Sequence, residues 1–327
     1  PGGLHLICWP AALPWLIFLI EAGYSFAGPD LPERAYAVHM RVLFHSVQAG
    51  ILAGLLLALF KPLRERFWEH LESGGGAWAG GPWLAAAGMF AWLGFLKYVQ
   101  FRGFQLPMDS ADQMSTVWGF LHGRGFYNPF LGKSALALHF APILALFSPV
   151  FLICPHPLGL FFLQSASLAS AGPAVFLLTR RRSGSNALAW LAMVAVYLNP
   201  FFFDAASASF LAQVFIFPLF LWSVLLFETG RWGLFGACFL ALLGCSEQVP
   251  FILAGFGAYL AAGGARGRDR KRVLGGLLLV AAAAGLWAAE MKLKTHLLKG
   301  EDAYWGYYRH LGLEAGAGAA SILARPW

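Results

Sequence analysis

This chain is expected to fold as an all-α protein that crosses a membrane several times. Hydrophobic residues fill 59% of its 327 positions and charged residues only 12%, where a soluble domain carries about 25% charged. Apolar runs of about 20 residues recur along nearly the whole length, each enough to cross a hydrocarbon core of about 30 Å as a helix. Basic residues collect in short tracts between those runs, the pattern that orients a polytopic protein.

Nine spans are expected, near residues 4–24, 38–60, 83–101, 157–179, 186–203, 207–227, 232–246, 248–264 and 273–291. The first lacks an Arg/Lys-rich leader and a small-residue cleavage site, so it reads as a span and not as a removable signal. The second ends at Lys61, Arg64 and Arg66. SGGGAWAGG at 73–81 then reads as a flexible joint. It divides a two-span N-terminal extension, 1–81, from the main bundle, 82–327. Span 157–179 ends at Arg180, Arg181 and Arg182; Arg231 follows 207–227; Arg266, Arg268, Arg270, Lys271 and Arg272 follow 248–264. The Gly- and Ala-rich run at 274–286 suits close helix packing in lipid. Beginning at Pro1 and ending at Trp327 beside a hydrophilic stretch, the chain reads as a fragment.

If every basic tract faces the cytoplasm, an even number of crossings must separate neighbours. The apolar run 134–154 breaks that parity. It carries His139, Pro142 and Pro149 and ends in Cys154-Pro155-His156-Pro157, so it is read as a segment lying at, or dipping into, the outer face. The alternative, in which it spans and Arg180 to Arg182 face outside, stays open. On the first reading the loops at 101–133, 203–207, 246–248 and 292–327 open on the non-cytoplasmic side of a membrane, expected to be the bacterial plasma membrane.

The net charge of +7 does not point to nucleic acid, because the basic residues sit between spans. Cys8, Cys154, Cys238 and Cys245 show no CxxC spacing and read as small buried hydrophobes. No P-loop, HExxH or GxSxG is present, and no internal repeat. A soluble nucleotide-sugar domain has no room here, which points to lipid-borne substrates if the chain is a transferase.

Chemistry is expected in Met108–Phe130. Asp109 follows Pro107 and opens an expected helix from Ser110 to Leu121. Two readings stand: a helix-start carboxylate favoured by the dipole, or a general base held at the membrane surface. Asp112, one turn on, reads as a solvated neighbour, a second carboxylate, or a ligand for a divalent metal; no cofactor is assigned. His122, Arg124, Tyr127 and Asn128 suit sugar recognition, as does YWGYYRH at 304–310, and both suit an interfacial aromatic belt equally well. Arg102, Arg124 and Arg309 read either as groups that grip a lipid phosphate or as isolated interfacial arginines. His139 reads as a hydrogen-bonded structural histidine or a substrate contact. Glu247, in GCSEQVP between apolar spans, reads as cavity-lining, because a carboxylate there is expensive unless it has a task. Asp204 sits at the end of a span.

From about Lys97 to about Gly312 the chain resembles the membrane family called domain of unknown function 2079, which is itself similar to the C-type glycosyltransferases. MDSA at 108–111, Trp118 and Leu121-His122-Gly123 fit the family's opening Phe-Asp-Leu-Gly, Trp and Leu-His-Gly frame. His139-Phe140-Ala141-Pro142 matches its His-Phe-x-Pro, and Pro149 and Gln164 match the residues that follow. Met114 stands where many members carry a second Asp, and Ser246-Glu247-Gln248 stands for a Lys-Glu-Asp element. The Phe-His-Pro element expected near 203–212 is absent.

The resemblance implies a C-type transmembrane bundle with interfacial helices in its first large external loop. It implies transfer of a sugar from a polyprenyl-phosphate donor to an acceptor hydroxyl, with Asp109 as the base. The expected partners are membrane lipid and that lipid-linked sugar. Two rivals remain: a transporter or flippase whose substrate path uses Glu247 and Glu290, and a non-catalytic scaffold.

Overall fold

A computed structural model describes residues 80–104 and 108–297. The N-terminal extension through residue 79, with its two expected spans and the tract Lys61–Arg66, lies outside them, as do Arg309 and YWGYYRH. The described chain is mostly helical. Its helices are α1 (Gly81–Arg102), α2 (Met108–Leu121), α3 (Leu144–Phe147), α4 (Val150–Ile153), α5 (Leu158–Ser183) and α6 (Asn186–Tyr197). They continue as α7 (Pro200–Ser207), α8 (Ile216–Glu228), α9 (Trp232–Leu243), α10 (Val249–Arg266) and α11 (Arg270–Leu297). The strands β1 (Tyr127–Asn128) and β2 (Lys133–Ser134) pair antiparallel, Tyr127 opposite Ser134.

Four helices, α1, α5, α10 and α11, are long and apolar enough to cross a membrane, and a fifth crossing arises if α6 and α7, bent by 49°, form one broken span. This is fewer than the hydropathy pattern suggests. The run at 207–227 is interrupted by a 3₁₀ turn, Ala212–Phe215, before α8 begins. Helix α9 has 12 residues, about 18 Å of rise, too little for a core of about 30 Å. The run at 134–154 is broken as its prolines require, into a 3₁₀ turn and the four-residue helices α3 and α4. Helix α11 runs on to Leu297, past the expected end at 291.

The described residues divide into two compact units: 80–104, 108–114 and 149–240 in one, 115–148 and 241–297 in the other. In the first unit α5 is the centre, packed by α1, α6 and α8. Leu93, Leu168, Phe176, Met193, Tyr197 and Phe202 fill its core. Pro173 lies inside α5 and lacks the N–H that would bond the carbonyl of Ala169. Tyr197 supplies a substitute: its hydroxyl donates to the Ala169 carbonyl at 2.5 Å. Its ring lies over Gly172, where an added Cβ would come within 2.3 Å of it.

Helix α7 starts at Asn199, whose side chain accepts the N–H of Phe201. Its last carbonyls are met by side chains from two other helices. Gln164 Nε2 donates to Ala205 O at 3.3 Å, Gln100 Nε2 to Ser207 O at 3.3 Å, and Lys97 Nζ to Ala208 O. Lys97 is 1% exposed and its ammonium lies 5.2 Å from the Phe161 ring centroid.

In the second unit α10 and α11 form a tight hairpin. A Cβ on Gly276 would lie 2.4 Å from Gly257 O, and one on Gly264 2.7 Å from Val273 N. The small residues let the two backbones touch, as close packing in lipid requires. Asp269 shapes the basic turn between them, its Oδ1 accepting the N–H groups of Lys271 and Arg272 at 3.1 Å each.

Candidate functional site

Helix α2 presents the carboxylates of the first candidate site. Its buried face is polar: Ser110 Oγ accepts the N–H of Phe210 at 3.0 Å, and Gln113 Oε1 accepts that of Ala212 at 2.9 Å. These two bonds satisfy backbone donors in the irregular stretch after α7, where no helix or strand can do so. They also fix the first turns of α2. Asp109 lies exposed in its first turn and Asp112 is half-buried. Met114, on the same helix, is buried. Arg102 ends α1 and is exposed. Asp204, in α7, is also exposed.

In the second unit, the end of α2 leads into a glycine-shaped turn. Gly123 and Gly125 take positive φ, 75° and 56°, which spares a side chain the strain of that conformation. His122 and Arg124 are exposed there. His122 Nδ1 lies 2.8 Å from the Trp118 carbonyl, and its ring centroid lies 4.3 Å from that of Trp118. Asn128 is fully buried. Its Oδ1 accepts the N–H groups of Phe130 and Leu131, and its Nδ2 donates to Thr116 Oγ1. It is therefore a turn-forming residue, while Tyr127 is exposed.

The second candidate site joins Glu247, His139 and Lys294. Glu247 lies in the turn before α10, 7% exposed. Its Oε2 accepts the N–H of Phe140 at 2.8 Å. Its Oε1 accepts from Lys294 Nζ at 3.2 Å and lies 3.6 Å from His139 Nδ1. Lys294 also donates to the Leu138 carbonyl at 2.8 Å. Burial opposes ionisation of Glu247. The donors His139, the turn's backbone, Lys294 and Phe140 outweigh it and hold the carboxyl well below the usual carboxylate range. The arrangement clamps the 138–140 turn, which bears His139.

Glu290, one turn before Lys294 on α11, is buried in the same unit. Residues 292 and 294, expected in a loop, are helical, and Glu247 and Leu138 accept hydrogen bonds from the buried Lys294 ammonium. The spacing Glu290 to Lys294 on an apolar helix was the available signal. Lys97, inside an expected span, had no such companion in sequence. Among the described residues no group of three or more His, Cys, Asp or Glu side chains is placed to hold a metal ion.

The model of one family, predicted membrane proteins designated DUF2079, matches residues 108–299. No curated protein and no solved structure matches the chain.

Proposed function

This chain belongs to the DUF2079 family of predicted membrane proteins, and from that premise we propose that it is a C-type membrane glycosyltransferase. It moves a sugar from a polyprenyl-phosphate carrier to an acceptor hydroxyl at the non-cytoplasmic face of a bacterial plasma membrane. One observation carries the reading: an exposed carboxylate, Asp109, on the first turn of a helix whose buried Ser110 and Gln113 are tied to the backbone of Phe210 and Ala212. A general base must be held in place yet reach its substrate, and α2 does both.

Asp109 takes the acceptor proton as the hydroxyl oxygen attacks the anomeric carbon. The bond to the lipid phosphate breaks, and Arg102 stabilises the charge left on the phosphate. Arg124 and Arg309 are proposed to share that task, and Asp112, His122, His139 and Glu247 to contact the sugar or acceptor. In a C-type transmembrane bundle the base belongs to the first large external loop. The test is turnover of a polyprenyl-phosphate sugar by the Asp109→Asn protein in lipid. Loss of a general base lowers the rate by about 10²–10⁴-fold; a folded variant working at the parent rate sinks the proposal.

A second reading, transport, is favoured by the buried Glu247–Lys294 ion pair, since buried charges in a membrane protein commonly mark a substrate path. Uptake into proteoliposomes without a covalent product would select it.

A further inference from the structure

Between α6 and α7 the chain turns, and the turn leaves a cavity in the first unit. Asn199 accepts the N–H of Phe201 and Pro200 opens α7, so the two helices bend by 49°. Both arms of the bend, with α5, the 3₁₀ turn Ala212–Phe215 and the start of α8, wall a space of about 300 Å³. Small-molecule sites usually run from about 300 to 1,000 Å³. Leu168, Phe202 and Val214 give the space a buried side, whereas Phe201 and Phe217, 81% and 41% exposed, flank its open one.

Its wall is mostly apolar, with two amides. Asn199 has its Oδ1 occupied by the N–H of Phe201. Gln213 does not: its Oε1 is buried and has no hydrogen-bond partner among the described residues. The 3₁₀ turn that carries Gln213 is tied to α2, where Gln113 accepts the N–H of Ala212. An amide oxygen shut away from water without a donor costs stability that a donor restores. Among the described residues none that lines the cavity is charged, so a phosphate or carboxylate would find no counter-charge there.

We propose that this cavity binds a membrane-borne alcohol, an apolar chain or ring ending in one hydroxyl. The hydroxyl donates to Gln213 Oε1, the first carbons lie against Leu168, Phe202 and Val214, and the remainder leaves past Phe201 and Phe217. That aromatic mouth suits a molecule arriving through lipid, because an apolar molecule is taken up from water only at the rim of the bilayer but is already dissolved in its core. No covalent bond forms or breaks. The site stands apart from the transfer reading, since Asp109 is not among its lining residues.

The experiment is photolabelling of the full chain in lipid nanodiscs with a diazirine-bearing octanol. Unlabelled octanol, or its methyl ether at matched concentration in the lipid, is added as competitor. Adducts are expected within residues 196–217, displaced by octanol. The ether, which has no hydroxyl proton to donate, should need about tenfold more to displace them. Gln213→Leu should keep the adducts and lose the tenfold difference. Ala205→Phe, which extends a ring into the cavity from α7, should lose the adducts. Labelling that octanol cannot displace overturns the proposal, as does a Gln213→Leu protein that still prefers the alcohol, or undiminished labelling of Ala205→Phe. Should a variant fail to fold, the parent alone decides: a tenfold advantage of octanol over the ether supports the site, and equal potency overturns it.

Discussion

Glu247 combines burial, an ion pair and a backbone bond in one side chain, so its replacement separates structure from chemistry. Glu247→Gln keeps the shape but leaves Lys294 buried beside a neutral amide. Removing one partner of a buried pair costs about 3–5 kcal/mol. The native carboxyl ionises well below its unfolded value, which is about 4.3. Its contribution is therefore full above that pH and is lost as the pH falls through the folded value. Denaturant unfolding at a series of pH values should show a wide gap between parent and variant near neutrality that narrows in acid. A gap that stays constant into acid would contradict the ion pair. Glu247 was legible in the sequence as a lone carboxylate between spans. Its partners were not, because Lys294 lies 47 residues away and Phe140 contributes only its backbone, which has no sequence signature.

At the scale of elements, α5 shows how a helix survives an internal proline. The carbonyl freed by Pro173 is buried and needs a donor, and Tyr197 brings one from α6. Tyr197→Phe keeps the ring on Gly172 and removes only that donor. An unsatisfied buried acceptor costs about 1–3 kcal/mol. Thermal unfolding in detergent should register a loss of that size, and an unchanged transition would show the bond to be idle. The long helices were legible because hydropathy and length alone define them. The breaks were legible only where proline announced them, as in 134–154. The interruption before α8 was hidden: the N–H groups of Phe210 and of Ala212, the first residue of the 3₁₀ turn, are taken by Ser110 and Gln113, about a hundred residues earlier.

For the molecule as a whole, composition settled the membrane class, and the family match from 108 to 299 agrees with it. Span number was the weaker reading, since a hydropathy window counts apolar residues and cannot see where a helix bends or stops. Within the candidate sites, α2 and its Asp109 followed from a local pattern. Lys97 and Lys294 act through partners that only folding assembles.

The lysine that closes α7 also has a history in time. Lys97 leaves the ribosome 111 residues before the Ala208 carbonyl that receives it. At the moment α1 enters the bilayer its ammonium has no acceptor there, a penalty of about 2.5–3.5 kcal/mol at a helix centre and less toward an end. Insertion of α1 is thus provisional until later chain arrives to rescue it. Nascent chains stopped before Pro200 should leave α1 less protected from protease than chains stopped after Glu228, and Lys97→Leu should erase the difference. Equal protection at both lengths would mean that this cation pays its way into lipid unaided.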